Sequence, residues 1–155
     1  MSIISQLSKS LPKNIVISGD ENTRPFECDG LSVYKQKPLA VVLPNELSQV
    51  KKVLEICRKN NTPIVTRGAG TGLSGGAMPI KDSVVLGLSK LTKVISINPQ
   101  EQTAIVEPGV RNLAISEAAD EYGLYYAPDP SSQIACTIGG NVAENAGGVH
   151  CLKYG

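Results

Sequence analysis

The sequence carries almost no surplus charge: 15 lysines and arginines stand against 14 aspartates and glutamates, a formal net charge of +1. No basic face advertises nucleic acid, and no acidic tail advertises a basic partner. Histidine is nearly missing, with His150 alone, and the four cysteines, Cys28, Cys57, Cys136 and Cys151, form no C-x-x-C pair. A metal cluster is therefore not expected; reduced, mostly structural thiols are. Long apolar runs are missing too. The opening stretch "MSIISQLSKSLPK" spreads Ile3, Ile4, Leu7 and Leu11 among Ser, Gln and Lys, which predicts a short amphipathic helix in the cytoplasm rather than a signal peptide or a membrane span. There is no internal repeat, low-complexity tract or linker, and the polar, weakly patterned segment from Gly19 to Lys37 reads as irregular surface chain.

What is present is enough for one ordinary domain: 155 residues, 41% of them hydrophobic, a size that buries about 70% of the unfolded surface. Glycine is the uneven component. Five of the fifteen fall between 68 and 76, and Gly139, Gly140, Gly147 and Gly148 crowd a ten-residue window later.

The apolar run "LAVVLP" (39–44) reads as a buried strand. Asn45 then offers an N-cap and Glu46 suits the positive helix end, while Leu47, Val50, Val53, Leu54 and Cys57 recur at helical spacing before Arg58 and Lys59. "TPIVTR" follows as a second strand, so residues 39–66 predict a β-α-β unit with parallel strands. The stretch "RGAGTGLSGG" begins where that strand ends, at the edge of a parallel sheet where ligands bind. Further on, "SVVLGL" (83–88) reads as a strand, and "KVISIN" (93–98) and "QTAIVEPG" (102–109) as a hairpin. In "VRNLAISEAADEYG", Val110, Leu113, Ala114, Ala118 and Tyr122 share one helical face that stops at Gly123.

Three stock explanations of the glycine loop meet obstacles. A dinucleotide fingerprint lacks its third glycine at Leu73, and Gly75, Gly76 and Pro79 forbid an immediate helix; a triphosphate-binding loop needs lysine where Gly76 stands. Gly72-Leu73-Ser74-Gly75-Gly76 fits the hydrolase elbow G-x-S-x-G, with Asp129 and His150 following in order. That reading makes Ser74 a nucleophile, yet Ser74 lies eight residues past Thr66 and precedes Gly-Gly and Pro rather than a tight strand-to-helix turn. The remaining inference is a nest of main-chain N–H groups for an anion such as a pyrophosphate, with Arg67, Thr71 and Ser74 adding charge and donors. Glycines used only for tight turns explain two or three positions, not five in nine.

The second unusual stretch is "APDPSSQIACTIGGNVAENAGGVH" (127–150). Two prolines bracket Asp129, and Thr137 to Gly148 is mostly small residues and amides, which would let a flat ring approach the backbone while Asn141 and Asn145 bond its polar edge. Equally, 139–146 reads as a helix start packed through alanine and glycine.

Taken in order, "VVLP…PIVTRGAGTGLSGG…VEPGV…PDPSSQIACTIGGNVAENAGGVHCLKYG" resembles the flavin-binding half of the vanillyl-alcohol oxidase / p-cresol methylhydroxylase flavoprotein superfamily, and within it the FAD-linked D-lactate and glycolate dehydrogenase branch. The likeness runs from "ECDGLSVYKQKPLAVVLP" to the last residue. It implies an α+β fold, a p-cresol methylhydroxylase-type FAD-binding domain in two α/β sub-parts, the first spanning about 1–98 and the second beginning over 99–155, with FAD between them. The resemblance assigns the pyrophosphate to Arg67, Gly68, Ala69, Gly70, Thr71, Gly72, Leu73 and Ser74, and the adenine side to Pro108 and Gly109. It assigns the isoalloxazine surroundings to Pro128, Asp129, Ser132, Cys136 and Thr137, then Gly139, Gly140, Asn141, Asn145, Gly147 and Gly148, so that both loops become one site.

Some relatives hold their flavin covalently through a histidine at the position of Thr71, so FAD is expected to bind here noncovalently. The family's enzymes continue into a substrate cap that is not expected in these 155 residues. The implied reaction is oxidation of a 2-hydroxy acid such as glycolate or D-lactate, with hydride passing from the α-carbon to the flavin. Its base belongs to the missing part, so no catalytic residue is assigned and the chain is expected to be inactive alone, either as part of a glycolate oxidase-like dehydrogenase or as a non-catalytic flavin-binding module. Partner subunits of a glycolate oxidase complex are implied, with a cytoplasmic location or one peripheral to the inner membrane through them.

Overall fold

The computed structural model describes residues 1–154, and the chain divides between Lys90 and Leu91 into two compact units. In the first unit the amphipathic opening becomes helix α1, Ile3–Ser10, capped by the Ser2 hydroxyl, which accepts from Ser5 N at 3.3 Å. Strand β1, Val16–Ser18, follows, then a short helix α2, Asp20–Thr23, and a 3-10 turn, Arg24–Phe26. The segment expected to be irregular is thus partly helical, with Asp20 and Glu21 in the first turn of α2, where carboxylates suit the dipole.

Strand β2 (Ala40–Val42), helix α3 (Leu47–Lys59) and strand β3 (Ile64–Arg67) build the expected β-α-β unit, and strand β4 is Val84–Gly87. The sheet order is β1-β2-β4-β3, with β1 antiparallel to β2 and the other three parallel. β2 and β3 are parallel but not neighbours, because β4 lies between them and Val84 stands opposite both Ala40 and Ile64. Composition explains the order: β2 and β4 are wholly buried, whereas β3, with Thr66 and Arg67, takes an edge. Leu7, Ile15, Val42, Val53, Cys57 and Val84 form the heart of the core, each full burial of Val, Leu or Ile contributing about 1.5–3 kcal/mol.

Two expectations about α3 need correction. Its N-cap is Glu46, without a side-chain cap; the Asn45 amide instead donates to Gln49 Oε1 at 3.0 Å. Its buried residues are Val53, Ile56 and Cys57, while Leu47 and Leu54 are 64% and 46% exposed. The helix carries more apolar residues than one face holds, so periodicity left its rotation open.

In the second unit, strands β5 (Val94–Asn98) and β6 (Thr103–Val106) pair as the expected antiparallel hairpin, with a bulge between Val94 and Ser96. Asn98 Oδ1 accepts from Glu101 N at 3.2 Å and Gln102 takes φ +53° to close the turn. Helix α4, Asn112–Ala119, runs on as a 3-10 turn to Tyr122 and ends at Gly123 in the left-handed region. Its buried face is Asn112, Ile115 and Ala119, with Tyr122 exposed. Of the residues expected on the inner face, Val110, just ahead of the helix, is buried, while Leu113, Ala114 and Ala118 are only half-buried, so the helix is turned by about one position, roughly 100°. Helices α5, Ile138–Glu144, and α6, Cys151–Tyr154, complete the unit. No helix is long and apolar enough to cross a membrane, and no metal-binding cluster of His, Cys, Asp or Glu occurs among the described residues.

Candidate functional site

The glycine loop leaves the carboxyl end of β3. Arg67 is the last strand residue, and its carbonyl accepts from Leu88 N at 2.8 Å, which fixes the point of exit. The chain then turns back: Gly70 has φ +74°, and a Cβ there would overlap the Arg67 guanidinium. The loop is braced by residues 26–31. A Cβ on Gly30 would stand 2.8 Å from Gly72 O and 2.9 Å from Thr71 O, so glycine is required for the two segments to touch. Asp29, 6% exposed, accepts from Leu31 N at 2.9 Å through Oδ1 and from Ala77 N at 3.4 Å through Oδ2.

Arg67 belongs to this brace. Its Nη1 donates to Cys28 O at 2.6 Å and its guanidinium lies 5.7 Å from the Phe26 ring centre. Burial pulls its pKa down while Asp29 pushes it up; an arginine keeps its charge under both influences. A positive charge thus sits directly beneath a loop whose own amides are free: among the described residues, no main-chain N–H from Gly68 to Gly76 donates a hydrogen bond. Ser74 is exposed in this loop and is followed by the Gly75–Met78 turn (Met78 N to Gly75 O, 3.1 Å), not by a helix. The nucleophile elbow is not formed.

In the second unit, Asp129 organises the small-residue segment. Its amide donates to Gly147 O at 3.2 Å, its Oδ1 accepts from Val149 N at 3.1 Å, and His150 Nδ1 stands 3.0 Å from the same oxygen. Ser132 O receives the amides of Ala135 and Cys136, both at 2.8 Å, and the Cys136 side chain is buried. Gly139 N donates to Pro108 O at 2.9 Å, and a Cβ on Gly139 would meet Pro108 Cβ at 2.8 Å. The helix start anticipated over 139–146 therefore forms as α5, and it packs against Pro108 through glycine. Gly140 sits in its first turns and Asn145 ends it in the left-handed region.

Buried polar atoms without partners mark this second segment. Thr137 Oγ1 and Asn141 Nδ2, four residues apart at the start of α5, have none among the described residues, and neither has Asn112 Oδ1. Each such group costs about 1–3 kcal/mol. Asn112, Asp29 and Gly30 were not singled out from the sequence. The Asp29-Gly30 dipeptide was a turn signal; Asn112 gave none, hidden inside a helical pattern.

The family described as "FAD binding domain" matches residues 38–155. The chain is 56% identical over 154 residues to the glycolate oxidase subunit GlcD of Escherichia coli (strain K12), covering 99% of this chain and 31% of that protein. It is 34% identical to the D-lactate dehydrogenase of Anaerostipes hadrus, covering 99% of this chain and 32% of that protein. Among solved structures it resembles p-cresol methylhydroxylase with substrate bound, at a TM-score of 0.69 and 27% identity, over 81% of this chain and 26% of that one. The chain spans about a third of the length of these curated relatives.

Proposed function

Because the chain belongs to the FAD-binding-domain family, we propose that it holds the cofactor of an FAD-dependent 2-hydroxy-acid dehydrogenase of the glycolate oxidase and D-lactate dehydrogenase kind. The observation that carries this is the Gly68–Gly76 loop: amides without partners among the described residues, at the carboxyl edge of the parallel strands and above a half-buried guanidinium. Convergent N–H groups with a cation behind them suit a pyrophosphate.

The residues fit FAD on two counts. Among the described residues, the main-chain N–H groups from Gly68 to Gly76 donate to nothing, and Thr137 Oγ1 and Asn141 Nδ2 are buried polar atoms lacking partners. The loop of Arg67, Gly68, Ala69, Gly70, Thr71, Gly72, Leu73 and Ser74 would take the pyrophosphate, Pro108 and Gly109 the adenine side, and the segment from Pro128 to Gly148 the ring system. When bound, the flavin supplies the hydride acceptor for oxidation at the substrate α-carbon. This chain's residues bind and orient. Arg67 offsets phosphate charge from beneath the loop without having to point out of it, and Asp129 keeps Gly147 to His150 in one conformation. No side chain here is assigned as base. Thr71 stands where some relatives carry the histidine that links to the flavin, so binding is expected to be noncovalent. Since the E. coli relative is called a subunit, the whole protein is expected to act with partner subunits, in the cytoplasm or at the inner membrane through them.

The test is an absorbance spectrum of the purified chain after incubation with FAD and desalting, repeated on the supernatant after acid precipitation. Retained flavin bands that pass wholly into the supernatant support noncovalent FAD binding. A folded chain that keeps no flavin sinks the claim that these residues suffice as a cofactor site.

A further inference from the structure

We propose that Asn112 is a positioning residue for the flavin-facing segment, an inference that rests on the assignment of residues 128–148 to the ring system. Helix α4 starts at Asn112 without a side-chain cap. Its first amides are satisfied by the loop instead: Asn112 N donates to Cys136 O and Leu113 N to Gln133 O, both at 3.1 Å. In return, Asn112 Nδ2 donates to Pro128 O at 2.9 Å. One residue, 1% exposed, therefore holds both ends of the 128–136 loop.

The hold extends further. Fixing Pro128 sets the main chain of Asp129, and Asp129 in turn is hydrogen-bonded to Gly147 O and Val149 N, with His150 Nδ1 3.0 Å from its Oδ1. Stability alone does not call for an asparagine here, because its Oδ1 is buried without a partner among the described residues. An apolar residue would avoid that cost. What leucine would not supply is the donor that fixes Pro128.

Asn112→Leu keeps the branching, with bulkier methyl groups, and loses the donor; Asn112→Asp keeps the size and shape and sets a carboxylate oxygen against the Pro128 carbonyl. Each variant is compared with the wild-type chain by far-ultraviolet circular dichroism, amide hydrogen exchange, FAD titration and the fine structure of the bound flavin's long-wavelength band. The expected result is native helix content, faster exchange confined to residues 129–136 and 147–149, FAD affinity weaker by about tenfold, the loss equivalent to one net hydrogen bond, and an altered band shape. Unchanged exchange in those segments, or unchanged affinity and band shape, overturns the proposal. A merely structural residue would loosen α4 without singling out the loop. If the wild-type chain binds no FAD, the cofactor assignment fails by itself, and hydrogen exchange still decides whether Asn112 holds the loop.

Discussion

Gly148 lies against the main chain of Asp129 so closely that a Cβ at 148 would overlap the Asp129 carbonyl group and stand 2.6 Å from its Oδ1. With φ at +65°, position 148 also takes a conformation that L side chains rarely adopt. Gly148→Ala is expected to destabilise the second unit by about 1–3 kcal/mol and to weaken FAD retention. A urea titration followed by desalting of the FAD-loaded variant checks it. An unchanged midpoint would mean that the close approach of 129 to 148 is not needed for folding.

Arg67→Ala removes a charge-assisted hydrogen bond to Cys28 O and the contact with Phe26. The expected cost is about 1.5–3 kcal/mol of stability, with weaker FAD binding as its consequence. If affinity falls while the urea midpoint stays, Arg67 reaches the ligand directly and the brace assigned to it is wrong.

Thr137→Val should produce effects of opposite sign. Without ligand, removing an unpartnered buried hydroxyl leaves stability unchanged or raises it by about 1 kcal/mol. With FAD, loss of the polar atom lowers affinity. Paired thermal melts with and without FAD read both. A variant that is less stable yet binds FAD normally would show that the hydroxyl serves the fold.

Burial pushes the Cys57 thiol pKa up, and the Tyr126 phenol is raised by the same cause. A raised folded-state pKa means the folded protein holds the proton more tightly than the unfolded chain does. The associated stability is fully present at neutral pH and is lost as pH rises above about 8.5, the ordinary thiol value. Urea midpoints between neutral and strongly alkaline pH should fall. In Cys57→Ala the fall should be shallower, with Tyr126 supplying the remainder. An equal fall in both proteins would remove Cys57 as its source.

The elements that were legible are those written in local periodicity. "LAVVLP", "TPIVTR" and "SVVLGL" read as strands, "MSIISQLSKSLPK" and "ELSQVKKVLEICRK" as helices, and Gly123 as a helix stop, because spacing, β-branching and capping act within a few residues. The rotation of α3 and α4 was not legible. Leu47 and Leu54 looked like core and lie outside, while Asn112 looked polar and lies inside, since a helix with apolar residues on several sides is oriented only by what it meets.

The candidate site divides the same way. The glycine content of 68–76 and the small residues of 137–148 already specified two places where backbone would be exposed, because freedom from Cβ is a property of each residue alone. Only the tertiary structure decided what stands behind them. Asp29 reaches Ala77 across 48 residues, Gly30 meets Thr71 and Gly72, Arg67 turns toward Cys28 rather than out of the loop, and Asn112 ties Pro128 to the start of a helix. Those partners are remote in the chain and become neighbours through sheet order and core packing, and no local pattern encodes them.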